Sequence, residues 1–136
     1  MSVESTRPDG TKRQTFGPNP KGLLIFNANG LFADVKEAAG RVKFKSDNRG
    51  AATLEESKEA TSNAFFQFGR WSVDEAKRTF VFHAEGALVP NIEGVDSTRL
   101  VTVINAKELK FVDEGTGGST TAAVGGRTEF HFRRVA

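Results

Sequence analysis

Phenylalanine residues spaced two apart are the feature of this sequence that most constrains its fold. They recur in three pairs: Phe66/Phe68, Phe80/Phe82 and Phe130/Phe132. Successive side chains of a β-strand point to opposite faces of a sheet, so this spacing predicts strands with one apolar face. Twelve Phe among 136 residues, with little helical pattern, predict a small barrel or sandwich with an aromatic inner face.

The segments around these pairs predict a meander of short strands. Arg7-Pro-Asp-Gly10 is a turn signal, and Asn29-Gly30 is typical of type I′ hairpin turns. Strands are predicted at residues 3–6, 12–16, 23–27, 31–36, 41–45, 66–73, 78–88, 98–104, 107–112 and 128–135. Because parallel strands need long crossovers and these connections are mostly short, the sequence predicts an all-β, antiparallel up-and-down barrel.

One helix is predicted at residues 53–64. Thr53 and Glu56 have the spacing of a capping box, in which a hydroxyl and a carboxylate each accept a backbone hydrogen bond in the first turn. The apolar positions of the segment are few: Leu54, Ala60, Ala64 and Phe65. We therefore expect this helix to lie on the barrel as a lid or plug, and not to form a layer of the core.

The length and the net charge of the chain limit the kinds of partner it can have. Residues 1–136 suit a single domain. Nineteen Lys and Arg against seventeen Asp and Glu give a net charge of +2, and the basic residues are scattered, so we expect no nucleic-acid partner. No apolar run is long enough for a membrane span and no signal-peptide pattern is present, so we expect a cytoplasmic protein. The absence of Cys excludes disulfides, thiolate zinc sites and thiol nucleophiles.

Two predicted strands carry a His and a Glu two residues apart, as His83 with Glu85 and His131 with Glu129. Imidazole and carboxylate together suit zinc, iron or manganese. Polar faces of antiparallel sheets are commonly solvent-exposed, however, and we expect no metal. If they face inward, His83, Glu85 and Arg99 can anchor a polar group of an apolar ligand; if they face outward, they are structural.

Two further features have competing interpretations. Trp71, the only tryptophan, is either part of the core or a ring at the barrel mouth that stacks on a ligand. The glycine-rich segment 115–120 lacks the Lys and the following helix of a phosphate-binding loop, so it is predicted to be a hairpin loop. The sequence also lacks the G-x-S-x-G and His-Glu-x-x-His motifs of common hydrolases.

Several short motifs occur in an order that resembles the bacterial and fungal lipocalin-like domain. They are Gly17-Pro-Asn-Pro-Lys-Gly22, Asn29-Gly30, Glu55-Glu56, Phe68-Gly69-Arg-Trp71, His83-Ala-Glu85, Pro90-Asn91, Gly94 and Arg99. The resemblance spans residues 3–135, and its specificity lies in the order of the motifs, since each alone is weak. It implies a calycin-type antiparallel barrel in which His83, Glu85 and Arg99 match recurring polar positions, but it does not fix a ligand.

The start of the chain departs from that family pattern. Such domains usually open with a strand carrying a Gly-x-Trp element, and this sequence begins at what resembles the end of that strand. The resemblance therefore leaves two interpretations: either the first strand is truncated at its start, or this protein closes its barrel differently, by pairing an exposed edge with a second copy. We expect a second copy of the chain to cover that edge in a homodimer.

These observations predict a protein that binds a small, mainly apolar molecule in its interior, as a carrier, sensor or buffer without a cofactor. The predicted ligand-binding residues are His83, Glu85, Arg99, Trp71, Phe68, Phe80, Phe82, Phe130 and Phe132. The alternative is a biosynthetic isomerase or cyclase for a polyketide- or terpenoid-like substrate, with His83 and Glu85 as acid and base. A third interpretation is a barrel filled completely by Phe, which acts through its dimer surface.

Overall fold

A computed structural model describes residues 1–115 and 126–135. The described residues contain nine strands and one α-helix. The strands are β1 (Ser2–Thr6), β2 (Lys12–Gln14), β3 (Lys21–Phe26), β4 (Leu31–Glu37), β5 (Ala64–Asp74), β6 (Thr79–Ala87), β7 (Asp96–Ile104), β8 (Glu108–Asp113) and β9 (Arg127–Arg133). The helix is α1 (Leu54–Ser62), and short 3-10 turns lie at Arg49–Ala51 and Pro90–Ile92. The loop predicted in the glycine-rich segment falls largely on residues 116–125, outside the described ranges.

All nine strands form one antiparallel sheet in the order β2-β1-β9-β8-β7-β6-β5-β4-β3. The predicted all-β antiparallel meander with one short helix is confirmed. The sheet curls around an interior, since Lys36 of β4 lies over the ring of Phe130 in β9, with its Nζ 5.2 Å from the ring centroid. The hydrogen-bonded ladder of the described strands does not close, because β2 and β3 are its two margins.

The segment 41–45 is not a strand, contrary to the sequence-based prediction. It runs beside α1, and Arg41 and Lys45 form hydrogen bonds to residues of that helix. The Arg41 guanidinium donates hydrogen bonds to the Glu37 carboxylate and to the Ala60 carbonyl, and the Lys45 backbone N–H donates to the Glu56 carboxylate. The Lys45 N–H is thus satisfied by a helix side chain and not by a neighbouring strand.

The turn between β3 and β4 differs from the predicted type I′ form. Gly30 has a φ of 81°, but Asn29 does not have the positive φ that a type I′ turn also requires. The Asn27 side-chain oxygen instead accepts hydrogen bonds from the backbone N–H groups of Asn29 and Leu31, at 3.0 Å each. This side chain closes the turn, so glycine is needed at one position only.

A β-bulge lies between β5 and β6. Phe68 pairs with Gly86, and the next pair of the ladder leaves Glu85 as an extra residue in β6. Gly69 has a φ of 158°, and a Cβ there would lie 2.1 Å from the carbonyl oxygen of His83. Only glycine allows the two backbones to approach this closely.

The Phe66/Phe68 pair lies on the outer face of β5, which corrects its predicted place on the apolar inner face. Phe65, Gln67 and Gly69 are the buried residues of this strand. The Phe68 ring covers Gly86, where an added Cβ would lie 2.4 Å from ring atoms. Period two correctly predicted a strand here, but it assigned the wrong face to the interior.

Helix α1 has the predicted capping box. The Thr53 hydroxyl accepts from the Glu56 N–H at 3.2 Å, and the Glu56 carboxylate accepts from the Thr53 N–H at 2.9 Å. None of the described residues of α1 is buried, so the helix does not plug the interior. Across the described parts of the chain, no helix has the length and apolar character that a membrane crossing requires.

Candidate ligand-binding site

One end of the interior opens into an apolar cleft of about 530 Å³. Strands β3, β5, β6, β7 and β8 contribute its walls. The lining residues are Phe26, Trp71, Val73, Thr79, Phe80, Val101, Ile104 and Leu109, with Asp74, Glu75 and Arg78 of the β5–β6 connection. The cleft is therefore an apolar pocket with charged side chains on one side only, where the β5–β6 hairpin turns.

Aromatic contacts hold the base of this apolar cleft. Phe26 packs edge-on against Trp71 and Phe80, with ring centroids 5.1 and 5.5 Å apart. Phe80 in turn contacts Phe111 edge-on at 5.0 Å. The Trp71 indole N–H donates a hydrogen bond to the Asn27 carbonyl at 3.2 Å, which fixes the ring orientation. Edge-to-face packing of this kind makes a rigid wall.

The other end of the interior holds a cluster of buried charges, which we call the charged end. Lys36 forms an ion pair with Asp34, and the Gln67 side-chain amide donates to the second Asp34 oxygen at 3.2 Å. Arg99 lies 3.3 Å from the Asp113 carboxylate. All five side chains are buried. Two cations thus face two carboxylates, which balances the charge inside the sheet.

Burial shifts the pKa of both cations at the charged end. Removal from water lowers the pKa of the Lys36 amine, and the attraction of Asp34 opposes this shift. Burial likewise lowers the pKa of the Arg99 guanidinium, against the attraction of Asp113 and then Asp34. For each cation, the carboxylate partner thus opposes the effect of burial on the pKa.

The charged end has almost no free space. A cavity of about 10 Å³ is lined by Lys36, Asp34, Gln67, Arg99 and neighbouring rings. That volume accommodates about one water molecule. A ligand larger than a water molecule therefore fits only the apolar cleft, and not the charged end.

The residues predicted to bind a ligand divide between the two faces of the sheet. On the inner side lie Arg99, Trp71, Phe80, Phe82, Phe130 and Phe132. Of these, Trp71 and Phe80 line the apolar cleft. On the outer face lie His83, Glu85 and Phe68, and these three do not line the interior.

The outward position of His83 and Glu85 corresponds to the structural alternative. His83 contacts Ser72 and Asp96, and Glu85 lies 3.4 Å from the Arg70 guanidinium. The second predicted His, His131, is also on the outer face, hydrogen-bonded to Glu108 and separated from His83 by strands β7 and β8. In the described ranges no group of three or more His, Asp or Glu is arranged to hold a metal ion.

Sequence reasoning missed most of the inner polar residues and nine of the eleven residues that line the cleft. The missed residues are Asp34, Lys36, Gln67 and Asp113 at the charged end, and Phe26, Val73, Asp74, Glu75, Arg78, Thr79, Val101, Ile104 and Leu109 in the cleft. The spacing along β4 was a signal for two of them, since Asp34 and Lys36 follow Phe32 at intervals of two residues and share its inner face. Because both side chains are charged, the sequence alone argued against their burial.

The curled antiparallel sheet with an apolar cleft at one end defines an all-β protein of the barrel class. Residues 1–128 match the family model described as a lipocalin-like domain. The chain therefore belongs to the lipocalin-like domain family. In general terms, this membership supports the binding of a small hydrophobic molecule. No curated protein and no solved structure matches the sequence.

Proposed function

We propose that this protein binds a small, mainly apolar molecule in the apolar cleft, as a carrier, sensor or buffer. The observation that carries the proposal is the cleft of about 530 Å³ between Trp71, Phe80 and Leu109. Pockets of about 300–1,000 Å³ with mainly apolar walls are typical of small-molecule sites. An aromatic base held by edge-to-face contacts gives such a ligand a preformed surface.

The ligand we propose has an apolar body and at most one polar end. Val73, Val101 and Ile104 offer no hydrogen-bonding side chains, so they favour a hydrocarbon or aromatic body. Asp74, Glu75 and Arg78 lie at the exposed side of the cleft. A polar end of the ligand is best satisfied there, where both water and charged side chains are available.

In this proposal Arg99 has a structural role and not the ligand contact predicted for it. Its guanidinium is buried at the charged end and paired with Asp113, on the far side of the aromatic layer from the cleft. Removing it from Asp113 would leave a buried carboxylate unpaired, which is costly. Arg99 therefore stabilises the fold, and the cleft takes the ligand.

A titration with an uncharged fluorescent probe, N-phenyl-1-naphthylamine, tests the proposal. We expect saturable binding at one site per chain, with quenching of Trp71 fluorescence. Ile104→Asp puts a charge into the cleft at a residue that is 69% exposed, so we expect the fold to tolerate it. Because a bound ligand would desolvate that charge, we expect about tenfold weaker binding or more.

Ile25→Asp is the matched control for this titration. Ile25 is 53% exposed on the outer face of β3, so the variant has the same change of charge away from the cleft. The control should bind the probe as the wild type does. Equal weakening by both variants, or no saturable binding by the wild type, would contradict a ligand site in the cleft.

The isomerase or cyclase alternative has lost its main support. It required His83 and Glu85 beside the substrate in the interior, and both lie on the outer face. The homodimer and the cytoplasmic location stay predictions. Light scattering over a range of concentrations tests the dimer, and a monomer at the highest concentration would remove it.

A further inference from the structure

Three side chains on the outer face form a continuous hydrogen-bonded line across adjacent strands. Ser72 of β5, His83 of β6 and Asp96 of β7 take part. The Ser72 Oγ lies 2.8 Å from His83 Nε2, and His83 Nδ1 lies 2.7 Å from the Asp96 carboxylate. Each ring nitrogen of His83 therefore has one oxygen partner, a hydroxyl on one side and a carboxylate on the other.

The Asp96 carboxylate fixes the direction of these hydrogen bonds. An ionised carboxylate only accepts, so His83 Nδ1 must carry the proton that it donates to Asp96. In the neutral imidazole, Nε2 then has no proton and must accept from the Ser72 hydroxyl. The hydroxyl proton thus points at a base, which is the arrangement that activates a serine as a nucleophile.

Solvent and small molecules can reach this line. Ser72 is exposed, and the Asp96 side chain is 67% exposed. Val81 lies directly opposite Ser72 in the ladder and on the same face, where it offers a small apolar contact. Arg70 lies directly opposite His83 and brings a guanidinium to the same face.

We propose that Ser72, His83 and Asp96 form a nucleophilic site that accepts the acyl group of small activated esters. This site is separate from the apolar cleft and does not depend on the function proposed for it. The Ser72 oxygen forms a bond to the acyl carbon while its proton passes to His83 Nε2. The bond from that carbon to the leaving alkoxide breaks, and the alkoxide takes the proton from His83. Water then attacks the acyl carbon while its proton passes to His83 Nε2. The bond from that carbon to Ser72 Oγ breaks, Oγ takes the proton back from His83, and a carboxylic acid leaves.

The surroundings of Ser72 restrict the substrates. Backbone N–H groups inside a sheet are used by the ladder, so they do not form an oxyanion hole as loop or helix amides do. Arg70 is the donor on this face that can stabilise the developing negative charge. We therefore expect slow turnover, limited to short acyl groups with good leaving groups.

Covalent labelling with a fluorophosphonate and hydrolysis of p-nitrophenyl acetate test the site. We expect one adduct on Ser72, located by peptide mass spectrometry, and ester hydrolysis above the buffer rate. Ser72→Ala should abolish both. His83→Gln keeps a hydrogen-bonding side chain but removes the base, and it should slow both reactions by roughly 10²-fold, as loss of a general base does. Ser57→Ala, on exposed α1, should change neither reaction.

Asp96 acts through His83, so its role as a positioning residue needs a separate readout. An Asn amide can donate a hydrogen bond, so in Asp96→Asn the Nδ1 atom of His83 can accept it while Nε2 carries the proton. Asp96→Asn should therefore lower the labelling rate and also change the imidazole tautomer, which the ¹⁵N chemical shifts of the His83 ring report. A purely structural Asp96 would leave the tautomer unchanged.

The results that would overturn the proposal are distinct. Labelling of Ser72 that is unchanged in His83→Gln would make it an ordinary surface serine. Ester hydrolysis that survives in Ser72→Ala would assign the reaction to the imidazole alone. If the folded wild-type protein gives no adduct, the three residues are a cross-strand ladder that only stabilises the sheet.

Discussion

The two faces of the sheet carry similar residue types in very different surroundings. On the inner face, Lys36 pairs with Asp34, and both side chains are buried. On the outer face, Arg70 pairs with Glu85, and both side chains are more than half exposed. An exposed pair is worth little because water screens it, whereas losing one member of a buried pair leaves an unpaired charge. Burial, and not the kind of residue, decides how much each pair matters.

The same contrast holds for the aromatic residues. Phe82 is 1% exposed and contacts the rings of Phe26, Phe32 and Phe80. Phe68, 49% exposed, lies over Gly86 on the outer face. The inner rings form one packed cluster, while the Phe68 ring on the outer face covers Gly86, which has no side chain.

Lys36→Met tests the comparison with the largest expected effect. The substitution keeps the length of the side chain but leaves the Asp34 carboxylate buried without its cation. We expect the free energy of unfolding to fall by about 3–5 kcal/mol. Urea denaturation followed by Trp71 fluorescence measures it. Arg70→Met is the matched control on the outer face, with an expected loss below about 1 kcal/mol, and equal losses would refute the comparison.

Phe82→Leu should have a smaller effect. The change removes about three carbon atoms from the centre of the aromatic cluster, at ~0.8 kcal/mol each, so we expect a loss of roughly 2 kcal/mol or more. Phe68→Leu, on the outer face, removes the same atoms from a half-exposed ring. Its loss should be less than half as large, and the two midpoints of urea unfolding compare them directly. A larger loss in Phe68→Leu would mean that the cover over Gly86 is part of the core.

We expect the smallest change in stability from Glu108→Gln, and this change depends on pH. A hydrogen bond from His131 lowers the pKa of the half-buried Glu108 carboxyl below its ordinary value of 4.5. Stabilisation by Glu108 is therefore complete above pH 4.5 and is lost as the pH falls through the lowered pKa. The variant lacks this loss, so its stability should fall less steeply on acidification.

Acid titrations of the unfolding midpoint measure this slope. Glu129→Gln, an exposed carboxylate on the same outer face, is the control for the change in charge. Identical slopes for the wild type and Glu108→Gln would mean that the His131 contact has no effect on stability.

Local patterns in the sequence predicted most of the elements. The spacing of Phe80 and Phe82 gave β6, the turn residues gave the hairpins, and Thr53 with Glu56 gave the start of α1. These features depend on residues within a few positions of one another. The segment 41–45 was assigned wrongly: it is not a strand, and the Lys45 N–H donates to the Glu56 side chain, eleven residues further along the chain.

The candidate sites were only partly predictable. Trp71 and Phe80 were correctly expected at the interior, but His83 was not expected to meet Ser72 and Asp96. Those three residues are spread over 25 positions of the sequence and match no local motif. The pairing of β5, β6 and β7 brings them together.

The sequence by itself determined that this chain forms antiparallel strands with two chemically different faces, because side-chain direction alternates within every strand. It did not determine which face is enclosed. That choice belongs to the tertiary structure, since the curl of the sheet brings Lys36 against Phe130, and strand pairing places Gln67 beside Asp34 and Arg99 beside Asp113. A polar side chain is stable inside only when such partners are present, and these partners come from other strands of the sheet.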